Sequence, residues 1–123
     1  MAKVFVHVMP HYMVEESSPD KKRYVFSYTV SITNETQEPV QLMSRHWVIT
    51  NGETLATQEV RGEGVIGQQP IIKPGDSYTY TSGTVMEAPV GTMNGHYTML
   101  DHQGEVFDVM IPVFTLAATN SVH

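Results

Sequence analysis

The stretch "YVFSYTVSIT", residues 24–33, decides the fold. Its side chains alternate between two faces, because successive side chains of a β-strand point to opposite sides of the sheet. Aromatic and β-branched residues occupy one face, and mainly Ser and Thr occupy the other. Such residues favour strands, so the pattern predicts a long strand with one buried face. That buried face would comprise Tyr24, Phe26, Tyr28, Val30 and Ile32.

Strand-like stretches continue on both sides of this segment. A polar turn over 15–22 separates it from an earlier strand. Asn51-Gly52 predicts a hairpin with a type I′ turn, since this turn requires positive φ at both central residues. The segment "APVGTMNG" (88–95) has the composition of a loop. The remaining predicted strands are "KVFVHVM" (3–9), "VQLMSRHWVIT" (40–50), "TLATQEV" (54–60), "SYTYTSGTV" (77–85), "HYTML" (96–100) and "EVFDVMIPVF" (105–114).

These strands predict an all-β fold, an immunoglobulin-like or fibronectin type III-like β-sandwich of seven to eight strands. No stretch has the apolar spacing of an amphipathic helix. The chain has no cysteine, so the disulfide of antibody domains is excluded and the fibronectin-like variant is favoured. We expect one domain over residues 1–123, with a flexible tail after about residue 116.

The charge balance argues against several partners. The formal net charge is −6, and an acidic domain lacks the basic face that nucleic acid and anionic membranes require. The N-terminus does not resemble a signal peptide, and no apolar run reaches the roughly 18 residues of a membrane helix. We therefore predict a cytoplasmic protein that neither binds nucleic acid nor inserts into a membrane.

The stretch "RGEGVIGQQP", residues 61–70, contains G-x-G-x-x-G at Gly62, Gly64 and Gly67. This pattern binds a pyrophosphate only where a helix begins directly after it. Here Pro70 and Pro74 follow, so a helix is not expected. One interpretation is that the glycines adopt positive φ in a bulged crossover between two sheets, with Gly64 the foremost candidate. The other is a nest of backbone amides that binds a small anion, with Arg45, Arg61 and Lys73 nearby.

Four long motifs resemble the bacterial ApaG family in sequence and order. They are "SRHWVIT" (44–50), "VRGEGVIGQQPIIKPGDSYTYTSGT" (60–84), "APVGTMNGHYTM" (88–99) and "FDVMIPVFTL" (107–116). The resemblance implies a fibronectin type III-like or immunoglobulin-like sandwich and a link to cobalt tolerance and magnesium efflux. Similar domains in some eukaryotic proteins look like interaction modules. No agreed activity or catalytic residue set comes with the family.

Enzyme and metal sites have little support in the sequence. Ser44 and His46 would share a strand face about 6–7 Å apart, without the nucleophile elbow of a hydrolase. Asp101, His102, Glu105 and Asp108 surround one predicted hairpin and could hold a divalent ion, although a solvated polar turn is the simpler interpretation. We predict no catalytic residues, no resident metal and no cofactor.

The interpretation we favour is a non-enzymatic binding protein that acts through an unidentified protein partner. Trp47, the only tryptophan, is predicted either in the core or as an aromatic anchor at the partner interface. Edge-strand pairing would also allow a homodimer. The alternative function is the binding of a small anion, pyrophosphate or nucleotide by the Gly62–Gly67 loop.

Overall fold

Antiparallel strands in two facing sheets form the molecule, which confirms the predicted all-β sandwich. A computed structural model describes residues 3–118. In that range helical structure is confined to two short 3₁₀ turns, Val14–Glu16 and Pro19–Lys21, within the predicted polar turn. The strands are β1 (Val4–Tyr12), β2 (Tyr24–Asn34), β3 (Val40–Asn51), β4 (Thr57–Glu63), β5 (Ile71–Ile72), β6 (Ser77–Met86), β7 (Val90–Leu100) and β8 (Val106–Ala117).

The two sheets divide the strands unequally. The first sheet has the order β1-β2-β6, with β2 in the centre. The second has the order β4-β3-β7-β8, and β5 also pairs with β3. β1 of the first sheet packs against β8 of the second, which closes one side of the sandwich. No helix within residues 3–118 is long and apolar enough to cross a membrane.

The interior is built from the inward faces that strand alternation predicts. Phe26, Tyr28, Val30 and Ile32 of β2 are buried, whereas the intervening residues are partly exposed. Apolar side chains from both sheets meet them, and this burial is the main source of stability.

Trp47 lies in this core, where 2% of its surface is exposed. Its ring lies 5.3 Å from Tyr28, 6.2 Å from Tyr97 and 5.9 Å from Phe114, centroid to centroid. A side chain with so little exposed surface cannot serve as the anchor of a protein interface. The assignment of Trp47 as an interface anchor is therefore wrong, and the core interpretation holds.

The predicted loop over 88–95 is wrong, because β7 begins at Val90. Gly91 and Gly95 lie within the strand and serve close packing. A Cβ on Gly95 would overlap the carbonyl oxygen of His46 on the neighbouring strand, and one on Gly91 would overlap the side chain of Met86. The local sequence does not distinguish a glycine that lets a neighbouring strand pack closely from a glycine that lies in a turn.

The Asn51-Gly52 hairpin exists, but its loop is longer than predicted. Asn51 ends β3, and positive φ occurs at Leu55 (64°) and not at Asn51 or Gly52. The amide of Leu55 donates to the carbonyl of Asn51 at 2.8 Å, so residues 52–55 form a four-residue loop. Gly52 is required because its amide donates to the Val90 carbonyl at 2.8 Å, which leaves no space for a Cβ.

The end of the chain is only partly described. Ala117 belongs to β8, and the amide of Ala118 donates to the carbonyl of Pro89 at 2.7 Å. Residues 119–123, which make up most of the predicted tail, lie outside the described residues.

Candidate functional site

The glycine-rich stretch forms an excursion in an edge strand. β4 ends with Glu63 opposite Ser44, and β5 resumes with Ile71 opposite Gln41. The two pairs are three residues apart on β3 but eight residues apart on the segment that joins β4 to β5. The extra residues of that segment therefore project from the sheet as a loop. The bulge prediction holds. The predicted crossover between sheets is wrong here, because β4 and β5 pair with the same strand.

Two of the glycines have positive φ in this loop, one of them inside a tight turn. Val65 and Gln68 exchange backbone hydrogen bonds of 2.9 and 2.8 Å. Ile66 and Gly67 between them have φ of 42° and 78°, the signs of a type I′ turn. Gly64 precedes the turn with φ of 65°, as predicted. Left-handed backbone of this kind strains any residue with a Cβ, so these glycines have a structural function.

The geometry differs from a nucleotide-binding loop in two respects. The two-residue strand β5 follows the excursion, so no helix N-terminus of residues 3–118 faces it. The amide of Gly64 donates to the Met43 carbonyl at 2.8 Å, and that of Val65 donates to Gln68. Two amides of the predicted nest are thus already bonded within the chain.

The three basic residues near the loop do not converge. Arg45 and Arg61 lie at neighbouring pair positions of β3 and β4 but on opposite faces of the sheet, since Arg45 is opposite Gly62. Arg61 lies on the exposed outer face, 3.2 Å from Glu59. Lys73 is exposed directly after β5, which pairs with the start of β3. The predicted anion site built from Arg45, Arg61 and Lys73 is therefore not assembled, because strand alternation separates its members.

Arg45 points into the gap between the sheets instead. Its Nη1 atom donates to the carbonyl oxygens of Glu63 at 3.2 Å and Gly64 at 2.8 Å. Gly62 lies beneath the guanidinium, where a Cβ would be 2.7 Å from its atoms. Gly62 therefore provides the space that Arg45 needs.

Ser44 and His46 do not form a nucleophile–base pair. Nε2 of His46 lies 2.9 Å from Oε1 of Glu59, and no hydrogen bond joins it to Ser44 within residues 3–118. Hydrogen bonds from His46 and Arg61 hold the pKa of the exposed Glu59 below its ordinary value. His46 also meets His96 edge to face on the adjacent strand, with centroids 5.1 Å apart.

The acidic hairpin over 101–108 is a structured turn. Oδ1 of Asp101 accepts hydrogen bonds from the amides of Gln103 (2.8 Å) and Glu105 (2.9 Å). Asp108 accepts one from Thr98 at 3.1 Å, and His102 lies 4.0 Å from Glu38. Across residues 3–118, no three His, Asp or Glu side chains are grouped closely enough to hold a metal ion.

A buried tyrosine pair joins the two sheets. The hydroxyl groups of Tyr80 and Tyr97 share a short hydrogen bond in the core. Burial raises the pKa of Tyr80 to about 12, and it also raises that of Tyr97, so both phenols are neutral at physiological pH. The pair is a structural polar contact, since it satisfies two hydroxyl groups that water cannot reach.

The outer surface of the first sheet, hereafter the β1-β2-β6 face, was not predicted as a site. Thr29 pairs with Thr81 at 2.9 Å and Ser31 with Thr79 at 3.0 Å through their hydroxyl groups. No Lys, Arg, Asp or Glu occurs on this face from Phe5 to His11 on β1 or along β2 and β6. Its side chains are Phe5, His7, Met9, His11, Val25, Ser27, Thr29, Ser31, Thr33, Ser77, Thr79, Thr81 and Val85.

Comparison with known proteins identifies the family. The model of the ApaG domain matches residues 14–101. The chain belongs to the ApaG family. Protein ApaG of Pectobacterium carotovorum is 52% identical over 121 residues, which cover 98% of this chain and 96% of that protein. Protein ApaG of Escherichia coli O1:K1 is also 52% identical, with the same coverage.

A solved ApaG-type structure has the same fold. The crystal structure of the protein designated ApaA from Bordetella pertussis superimposes with a TM-score of 0.93 at 47% sequence identity. The match covers 98% of this chain and 97% of that protein. The resemblance recognised from the four sequence motifs is thereby confirmed.

Proposed function

We propose that this ApaG-family chain is a non-enzymatic, cytoplasmic protein-binding module that affects divalent-cation homeostasis through a protein partner. The connection to cobalt tolerance and magnesium efflux follows the family resemblance. The described side chains support binding over catalysis, because His46 is engaged with Glu59 and Asp101 is engaged in its own turn.

The β1-β2-β6 face carries this proposal. Phe5 and Met9 on this face are 53% and 62% exposed. Next to them lie Ser and Thr hydroxyl groups that are hydrogen-bonded to one another. Interface cores are depleted in charged residues and enriched in aromatic side chains and Met. An uncharged face on a domain of net charge −6 is also where another acidic protein could approach without burying like charges.

The size of the face favours a transient complex. Three strands about 4.8 Å apart with a rise of 3.3 Å per residue give a face of about 14 by 30 Å. This is about half of the 800 Å² that each protein contributes to a standard interface. We therefore expect a dissociation constant in the micromolar range, or a partner that extends beyond the face.

A charge placed in the centre of the face tests the proposal. Thr29→Glu puts a carboxylate on the middle strand, and Thr50→Glu puts the same charge on the outer surface of the second sheet. Both variants would be compared in an ApaG-deleted bacterium challenged with cobalt, and by affinity purification after cross-linking. We expect Thr50→Glu to restore cobalt tolerance and retain the partner, and Thr29→Glu to lose both while its melting temperature stays close to wild type.

Two outcomes would overturn the proposal. In one, folded Thr29→Glu protein behaves like Thr50→Glu in both assays. In the other, sedimentation of the purified protein shows a dimer that Thr29→Glu dissociates, because a second copy would then be what covers the face.

A further inference from the structure

The sandwich is open on the side opposite the β1–β8 contact. The edge strands β4 and β6 border a cleft of about 260 Å³ there. A neighbouring cleft shares Ile49, Gln58 and Val85 with it, so the opening continues towards the β3–β4 hairpin. Val60 and Ile49 provide apolar surface in the cleft, and the buried ring of Trp47 lies at its floor.

Arg45 is the charged residue of this cleft. Its hydrogen bonds within residues 3–118 use only Nη1 and end on backbone carbonyls. No carboxylate of the described residues lies within ion-pair distance of its guanidinium. A guanidinium has five N–H donors in a planar fork, so the remaining donors are available to a ligand.

Among residues 3–118, the side chains that line the cleft with Arg45 include hydroxyl groups but no carboxylate. Tyr28, Ser82 and Thr84 line the same cleft, and Glu87 lies in the neighbouring cleft. Burial raises the pKa of Tyr28. A hydrogen bond with Ser82 and the positive charge of Arg45 lower this pKa, but their effect is smaller. A partly buried cation with only neutral neighbours favours an anion, because a counter-charge offsets the loss of its hydration.

We propose that the cleft between β4 and β6 binds a small monocarboxylate, with the carboxylate on Arg45 and the apolar part against Val60 and Ile49. One guanidinium matches one carboxylate in charge and in planar geometry, whereas a phosphate dianion would retain an unpaired charge. The volume of the cleft equals about eight or nine water molecules at 30 Å³ each, which accommodates a short acid. This site is separate from the β1-β2-β6 face and does not depend on the proposed protein partner.

Nuclear magnetic resonance titration with four matched ligands tests the chemistry. Hexanoate, hexanol, hexylamine and hexyl phosphate share one apolar chain and differ in the head group. We expect hexanoate to shift the amides of β4 and β6 and the indole signal of Trp47 in a saturable manner. Hexanol and hexylamine should bind at least about ten-fold more weakly, because they forfeit a charged hydrogen bond. Equal binding of hexanol, or tighter binding of hexyl phosphate, would overturn the proposal.

Two variants locate the site. Arg45→Gln should abolish hexanoate binding, but it also removes the contacts to Glu63 and Gly64 and could unfold the loop. Gln58→Glu avoids this problem by placing a carboxylate of the chain itself in the cleft, and it should weaken hexanoate binding at least about ten-fold. Thr115→Glu adds the same charge on an exposed position of β8 and should bind like wild type. Wild-type affinity in folded Gln58→Glu protein would refute the assignment.

Discussion

The guanidinium of Arg45 on β3 donates a hydrogen bond of 2.8 Å to the backbone carbonyl of Gly64, which lies in the loop between β4 and β5. The contact ties an inward side chain of β3 to the first residue of the excursion between β4 and β5. Gln69 adds a second tie, because its side-chain amide donates to the Met43 carbonyl at 2.9 Å. The glycine-rich loop is thus fixed to the sheet at both of its ends.

Gly64→Ala should destabilise the free protein. The substitution places a Cβ at φ of 65°, where it would also overlap the carbonyl oxygen of Gln68. The left-handed conformation costs about 1–2 kcal/mol and the overlap about 1–3 more. The melting temperature should fall by about 8–20 °C.

Gly67→Ala is the matched control, because its φ is 78° but no neighbouring atom of residues 3–118 lies within 4 Å of an added Cβ. We expect only the conformational cost in that variant. Thermal melting with and without pyrophosphate, ATP, GTP and NAD completes the measurement, and none of these ligands should raise the melting temperature. An unchanged Gly64→Ala protein that has lost a pyrophosphate response present in wild type would instead support an anion-binding loop.

Ile66→Asn should stabilise the protein. Ile66 is exposed and has φ of 42°, a conformation that β-branched residues rarely adopt. Asn is favoured at this position of a type I′ turn, so we expect a gain of about 1 kcal/mol in the free energy of unfolding by urea. Ile66→Val, which keeps the branched Cβ, should show no such gain. Lower stability of Ile66→Asn would mean that the Ile66 side chain makes a contact that outweighs its backbone strain.

Sequence alternation predicted the faces of the strands better than the functions of the glycines. The Tyr24–Ile32 pattern located β2 because the polarity of each side chain indicates whether it faces the core or the solvent. Gly95 gives no such signal, because it has no side chain. Glycine is needed there because a Cβ would overlap the carbonyl oxygen of His46 on the neighbouring strand. Alternation places Arg45 on the same face as Trp47, but the cleft that Arg45 faces depends on how two distant edge strands, β4 and β6, are spaced.

We expect no stoichiometric cobalt or magnesium site tighter than about micromolar, since the Asp101 carboxylate is engaged in the turn of its own hairpin. Isothermal titration of chelator-treated protein measures this directly. His102→Ala serves as the comparison, because His102 is the exposed imidazole nearest to Glu38. One saturating site in wild type that His102→Ala abolishes would contradict the prediction and assign the metal link to direct binding.

The Tyr80–Tyr97 hydrogen bond should show strong energetic coupling. Tyr80→Phe or Tyr97→Phe alone leaves a buried hydroxyl group without its partner, at a cost of about 1–3 kcal/mol. The double Phe variant removes both hydroxyl groups and should cost less than the sum of the single variants. Urea unfolding of the four proteins gives the coupling energy. Additive single effects would show that the two hydroxyl groups act independently.

Stability should decrease at alkaline pH through the same tyrosines. Burial raises the pKa of Tyr80 from its ordinary 10.0 to about 12. The unfolded chain therefore releases this proton at a lower pH than the folded protein, so the stabilisation is complete below pH 10.0 and is lost as the pH rises towards 12. The raised pKa of Tyr97 acts in the same direction. Melting temperatures measured across this interval should fall more steeply in wild type than in the Tyr80→Phe/Tyr97→Phe variant, and absorbance at the tyrosinate band should rise together with unfolding. Identical slopes in the two proteins would show that ionisation of this pair is not what destabilises the fold.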